Sequence, residues 1–144
     1  MDTSVFGGCF DDEFSESSRK LFDEIKAGRF ILVVSVTTLR ELAYAPPRIW
    51  RLLEELPEEF IEVIAYSDEI RTLRDAYINA GVVGSANLFD AEHIASASVA
   101  NVDLIVSWNF RHIVNFRKIR GYHAVNLVQG YHPISIHSPN EVIE

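Results

Sequence analysis

Residues 30–47 read FILVVSVTTLRELAYAPP, and the change of pattern inside this stretch decides the fold class. Phe30 to Val36 is a continuous run rich in β-branched side chains, which predicts a strand buried on both faces. Sheets buried on both faces are typically parallel, with helices laid over them. TTLRELAYA then reads as a helix, and the Pro46-Pro47 pair ends it. A strand feeding directly into a helix is the unit from which such sheets are built.

The alternation continues outward in both directions. On the N-terminal side, SSRKLFDEIKAG puts Leu21, Phe22 and Ile25 on one helical face, and Gly28 suits its stop. On the C-terminal side, PRIWRLLEEL starts a helix with Pro47 in its first turn. FIEVIA (60–65) alternates like a strand. SDEIRTLRDAYINAG predicts a helix capped by Ser67, with Ile70, Leu73 and Tyr77 on one face and Gly81 at its end. NLFDAEHIASASVANV is a helix of small, closely packing residues, and DLIVSW is a strand. FRKIRGYHAVNLVQG is helical with an interruption at Gly121, and PISIH is a short last strand. The expected architecture is α/β, one domain over residues 1–144, with a mainly parallel sheet covered on both faces. Functional residues should lie beyond the carboxyl ends of its strands, near a switch in strand order.

Bulk properties narrow the function classes. No run of about 18 apolar residues is present, so no membrane span is expected. The start, MDTSVFGG, lacks a basic flank and apolar stretch, so no secretory signal is expected. Cys9 is the single cysteine, which excludes an intrachain disulfide and favours a cytoplasmic setting. The net charge of −8 argues against a nucleic-acid coat protein. Residues 104–144, however, hold four of the 13 Lys and Arg and only two of the 21 Asp and Glu. Arg111, Arg117, Lys118 and Arg120 therefore form either a solvated helix face or a local phosphate-contacting group.

Three acids stand out, and each has a local explanation. Asp2 suits a turn or cap, Thr38-x-x-Glu41 has capping-box spacing, and Asp90 suits a first helical turn. Together they suggest more. Glu41 follows the strongest strand, Asn109 ends another, and Asp90 starts a helix that carries polar His93 among small, apolar residues. Acids gathered at one sheet edge repel one another, and a hard divalent cation such as Mg²⁺ or Mn²⁺ relieves that repulsion. Asp103 opens the strand that Asn109 closes, about 20 Å away if extended, so it is read as structural. His112, His123, His132 and His137 lack zinc-like spacing, and GVVGS lacks the Lys-Ser/Thr of a phosphate-binding loop. An aspartyl phosphotransferase would want a second acid two residues after Asp2, where this chain has Ser4.

Taken together, DTSVFGG, TTLRELAYAPP, LFDAEHIASASVANVDLIVSWNFRHIVNF and YHAVNL resemble the PIN domain family, nearest to its VapC-like toxin ribonucleases. The likeness covers nearly the whole chain. It implies a three-layer α/β/α sandwich with strand order 3-2-1-4-5. It further implies Mg²⁺- or Mn²⁺-dependent hydrolysis of RNA, with Asp2, Glu41 and Asp90 as catalytic, metal-holding acids. Ser4 matches the hydroxyl of the family's DTS motif, while His93 and Ser107 would stand behind the acids. Asn109 falls where many relatives carry a fourth Asp, and is expected to reach the metal through a water. The resemblance tips the basic group toward RNA. It also implies a small antitoxin partner and a homodimer. A silent PIN-fold binding module is the alternative. Only Met1 precedes Asp2, so the first strand is expected to be cut short: either the chain starts further upstream or Asp2 is loosely held.

Overall fold

In the computed structural model, which describes residues 1–144, the chain runs α1 (Thr3–Gly8), α2 (Ser15–Lys26), β1 (Leu32–Ser35), α3 (Val36–Ala43), α4 (Pro47–Glu54), β2 (Ile61–Ile64), α5 (Asp68–Asn79), α6 (Leu88–Ala100), β3 (Leu104–Val106), α7 (Phe116–Gln129), β4 (Ser135–His137) and α8 (Pro139–Val142). The architecture is α/β with short parallel strands, as the alternating pattern predicts. No helix is long and apolar enough to cross a membrane.

Local chemistry accounts for most boundaries. Ser67 accepts a hydrogen bond from the Ile70 amide at 3.2 Å and opens α5. Its Ile70, Leu73 and Tyr77 are buried as the spacing predicts, and Gly81 lies just past its end at φ +75°. The helix after β1 starts earlier than a Thr38 capping box would place it. Ser35 is the cap and accepts from the Thr38 amide at 3.2 Å, which frees Glu41 from any capping role. α7 is not interrupted at Gly121. A Cβ there would stand 2.9 Å from Val82 Cγ1, so the glycine admits a neighbour rather than breaking the helix.

The strands form two separate parallel pairs rather than one sheet. Leu32 to Ser35 of β1 lie opposite Ile61 to Ile64 of β2. Leu104 to Val106 of β3 lie opposite Ser135 to His137 of β4. β1 and β3 do not pair with each other, and an apolar slot separates them. The first two residues bridge its inner end. The Met1 amino nitrogen donates to the Val33 carbonyl at 3.2 Å, and the Asp2 amide donates to the Val106 carbonyl at 3.4 Å.

Two cores flank β3. Val106 packs with Phe6, Phe22, Val34 and Trp108 in one. Ile105 packs with Leu73, Tyr77, Ile94 and Tyr122 in the other. This is the alternation a strand buried on both faces produces.

Candidate functional site

The DTS and SWN segments meet where β3 ends. Asp2 is buried and occupies the cap position of α1, but its side chain makes no capping bond. Instead its Oδ1 accepts from the Ser4 hydroxyl at 2.7 Å. Ser4 in turn accepts from the Trp108 amide at 2.9 Å and lies 3.4 Å from the Ser107 hydroxyl. Ser107, fully buried, accepts from the Asn109 amide at 2.9 Å. The polar residues after the apolar strand thus dock the chain's start onto β3.

Glu41 and Asp90 arrive from α3 and α6. His93 Nε2 lies 2.7 Å from Glu41 Oε1, and His93 Nδ1 lies 3.3 Å from the Thr38 hydroxyl. An ionised carboxylate only accepts, so Nε2 carries the proton in this pair. Burial pushes the Glu41 carboxyl up, but the bond to His93 and the charge of His93 pull harder, with a smaller contribution from Thr3. The carboxyl therefore sits below its ordinary range. Asp90 is pushed the other way. Burial raises it most; His112 and His93 oppose this, and the nearby Asp2 and Glu41 charges add to the rise. Asp90 therefore feels the charges of Asp2 and Glu41, although both lie far from it in sequence.

Each acid is held through one oxygen. Ser4 holds Asp2, His93 holds Glu41, and the Asn109 side-chain amide donates to Asp90 Oδ1 at 3.2 Å. The second oxygen of each lies outside these three bonds. His112 Nδ1, from a residue whose charge acts on Asp90, is buried without a hydrogen-bond partner. Oxygen donors carrying mutual repulsion fit a hard divalent cation. No three His, Cys, Asp or Glu side chains converge as a formed ion-holding group.

Two of the expected site residues have structural partners. Asn109 Oδ1 accepts from the Arg111 and His112 amides at 3.2 and 2.9 Å. Two backbone donors fix the oxygen there and occupy its lone pairs, so the group facing Asp90 is N–H. Asn109 caps the turn through its oxygen and turns its N–H toward Asp90. Lys118 points its ammonium at the Val82 carbonyl, 2.7 Å away. Arg111, Arg117 and Arg120 are exposed and make no ion pair, and Arg120 lies over the Phe116 ring at 5.7 Å. Asp103 is exposed, just before the start of β3.

Sequence reasoning passed over three features. Phe89, Phe110 and Phe116 are exposed, and the first two adjoin Asp90 and Asn109 in sequence. Glu92 is buried, accepts from Arg74 at 2.9 Å and bonds Thr37, locking α3, α5 and α6 together. A carboxylate inside a small-residue helix was the available signal for it. His112 faces Asp90 electrostatically, which nothing in its spacing announced.

Comparison of the chain with protein-family models, curated proteins and solved structures gave no match.

Proposed function

We propose that this chain is a PIN-type endoribonuclease, the toxin of a toxin–antitoxin pair, using Mg²⁺ or Mn²⁺ held by Asp2, Glu41 and Asp90. One observation carries the reading: acids from α3, α6 and the start of the chain share one electrostatic environment, in which Asp2 and Glu41 help raise Asp90. A bound cation supplies water activation and stabilises the leaving oxygen of a phosphodiester. The chain's own part is to hold the acids. Ser4, His93 and Asn109 fix one oxygen of each, and Ser107 braces the turn that carries Asn109. The exposed rings of Phe110 and Phe116 beside Arg111, Arg117 and Arg120 suit a single-stranded RNA, whose bases stack and whose phosphates seek guanidinium. The finer fold reading, a three-layer sandwich around a central sheet, belongs to the same proposal, as do a homodimer and a cytoplasmic setting.

A second reading has its own support. The acids do not close into an ion-holding group, and Asn109 offers N–H where a fourth acid would offer oxygen. A silent PIN-fold module that binds RNA follows from that. Calorimetry with Mn²⁺ and cleavage of a single-stranded RNA separate the two. The enzyme binds Mn²⁺ and cleaves, and Asp90→Asn loses at least a hundredfold in rate. A variant that cleaves as fast as the parent overturns the enzyme reading; RNA binding without Mn²⁺ binding assigns the module.

A further inference from the structure

β2 bonds to β1 along one edge and to no strand along the other. Glu62, Val63 and Ile64 make no hydrogen bond to any element besides β1. Successive residues of a strand turn their N–H and C=O groups to opposite sides, so part of this row faces away from β1. Nothing covers it: Glu62 is exposed, and Val63 is 57% exposed. An open strand edge of this kind is a template for one more strand.

The charge around the edge selects that strand. Glu54, Glu55, Glu58, Glu59 and Glu62 are all exposed and fall within one stretch that runs from the end of α4 into β2. Lys26 lies 3.6 Å from Glu55, and the other four make no ion pair. Their charge repels the phosphates of RNA. It also repels a second copy of the chain, which brings the same acids on the same strand and a net charge of −8. Charges on an edge strand commonly prevent such self-pairing. The same charges favour a strand whose backbone matches the open row and whose side chains are cationic.

We propose that the free edge of β2 takes an extended cationic segment of a partner protein, which joins the β1–β2 pair as a third strand. Glu62 and Val63 point to opposite faces of the sheet. The segment therefore alternates, with Lys or Arg beside Glu62 and an apolar residue beside Val63. Cations on its flank meet Glu58 and Glu59, which stand at the amino end of β2. The inference is independent of the ribonuclease reading, because it rests on β2 and its acids and uses none of Asp2, Glu41 and Asp90.

The test titrates the full chain with the peptide acetyl-Lys-Val-Lys-Val-Lys-amide, reading affinity by calorimetry and amide hydrogen exchange by NMR. Two controls are its analogue methylated on every backbone nitrogen and acetyl-Glu-Val-Glu-Val-Glu-amide. The first peptide is expected to protect amides of Glu62–Ile64 at least tenfold and to bind at least tenfold more tightly than either control. Glu62→Lys is expected to weaken it at least tenfold at an unchanged melting temperature, since the side chain is exposed. No binding of the cationic peptide overturns the proposal, as does protection confined to residues outside β2. Equal affinity for the methylated analogue overturns it too, because the acids would then attract charge without adding a strand. Sedimentation of the chain alone as a dimer with the β2 amides already protected would assign the edge to a second copy, and displacement of the peptide by single-stranded RNA would assign it to nucleic acid; either result overturns it. None of these readouts depends on RNA cleavage.

Discussion

His93 and Glu41 meet across the α3–α6 seam, ring nitrogen to carboxylate oxygen, at 2.7 Å. Burial alone would lift Glu41; the contact reverses the sign. A carboxyl depressed by folding contributes stability above its unfolded pKa, and that stability is lost as pH falls through the folded value. His93→Ala therefore moves the Glu41 titration upward, past its ordinary range, and flattens the acid limb of the stability curve. Carbon-detected NMR of the Glu41 carboxyl reads this directly. An unmoved midpoint would mean that the contact does not set the charge of Glu41.

Asp90 carries the opposite linkage. A carboxyl raised by folding stabilises only below its unfolded pKa, so ionised Asp90 weakens the fold at neutral pH. Asp90→Asn is expected to raise the melting temperature at pH 7. The same variant should lose any Mn²⁺-dependent rise in melting temperature. A lower melting temperature without metal would count against the repulsion described among Asp2, Glu41 and Asp90.

Arg111, Arg117 and Arg120 are exposed, whereas Lys118 is bonded to the Val82 carbonyl. Replacing the three arginines with glutamine should flatten the log–log salt dependence of single-stranded RNA binding by about 2, near 0.7 for each phosphate that is no longer neutralised. Lys118→Met should leave that slope alone and cost about 1–2 kcal/mol of stability, because Val82 O loses its partner. A slope that follows Lys118 instead would reverse the assignment.

Gly121→Ala sets two effects against each other. Alanine in a helix interior gains about 1 kcal/mol over glycine. The new Cβ, however, meets Val82 at 2.9 and 3.0 Å, and a β-branched side chain has few rotamers with which to give way. A net loss of about 1–2 kcal/mol is expected from overpacking. In a Val82→Ala background the same change should become stabilising. A gain in both backgrounds, by denaturant unfolding, would show that Val82 moves freely.

What could be read in advance was local. Ser67, the Ile70–Leu73–Tyr77 face and Gly81 specify α5 within fifteen residues, and the structure follows them. The α/β class was legible for the same reason, because the apolar run at 30–36 and the helix after it are contiguous. Long-range partners were not legible. Lys118 looked like a solvated cation because its acceptor, Val82 O, lies 36 residues away. Gly121 looked like a break because propensity knows nothing of Val82. In YHAVNL, Tyr122 and Asn126 proved to be packing residues. Tyr122 donates to His112 O at 2.8 Å, and Asn126 bonds Ser98, His132 and Tyr77. At the site, residue types pointed to Asp2, Glu41, Asp90 and His93. Which atom of Asn109 faces Asp90 depended on two backbone amides that no spacing rule reveals.

Trp108 gives the protein an optical reporter of its own. Its indole N–H donates to Ser18 Oγ at 2.7 Å, its ring stacks on Phe14 at 4.3 Å, and its backbone amide is bonded to Ser4. The glycine at position 8 admits that ring, since a Cβ there would lie 2.8 Å from the indole nitrogen. The chromophore thus touches α1, α2 and the turn bearing Asn109 at once. Release of the chain's first residues from β3 would hydrate the ring, shift its emission to longer wavelength and increase collisional quenching. Trp50, partly exposed on α4, supplies a second signal away from that turn. Trp50→Phe would leave a protein whose fluorescence tracks the seating of Asp2 and Ser4 without any added label.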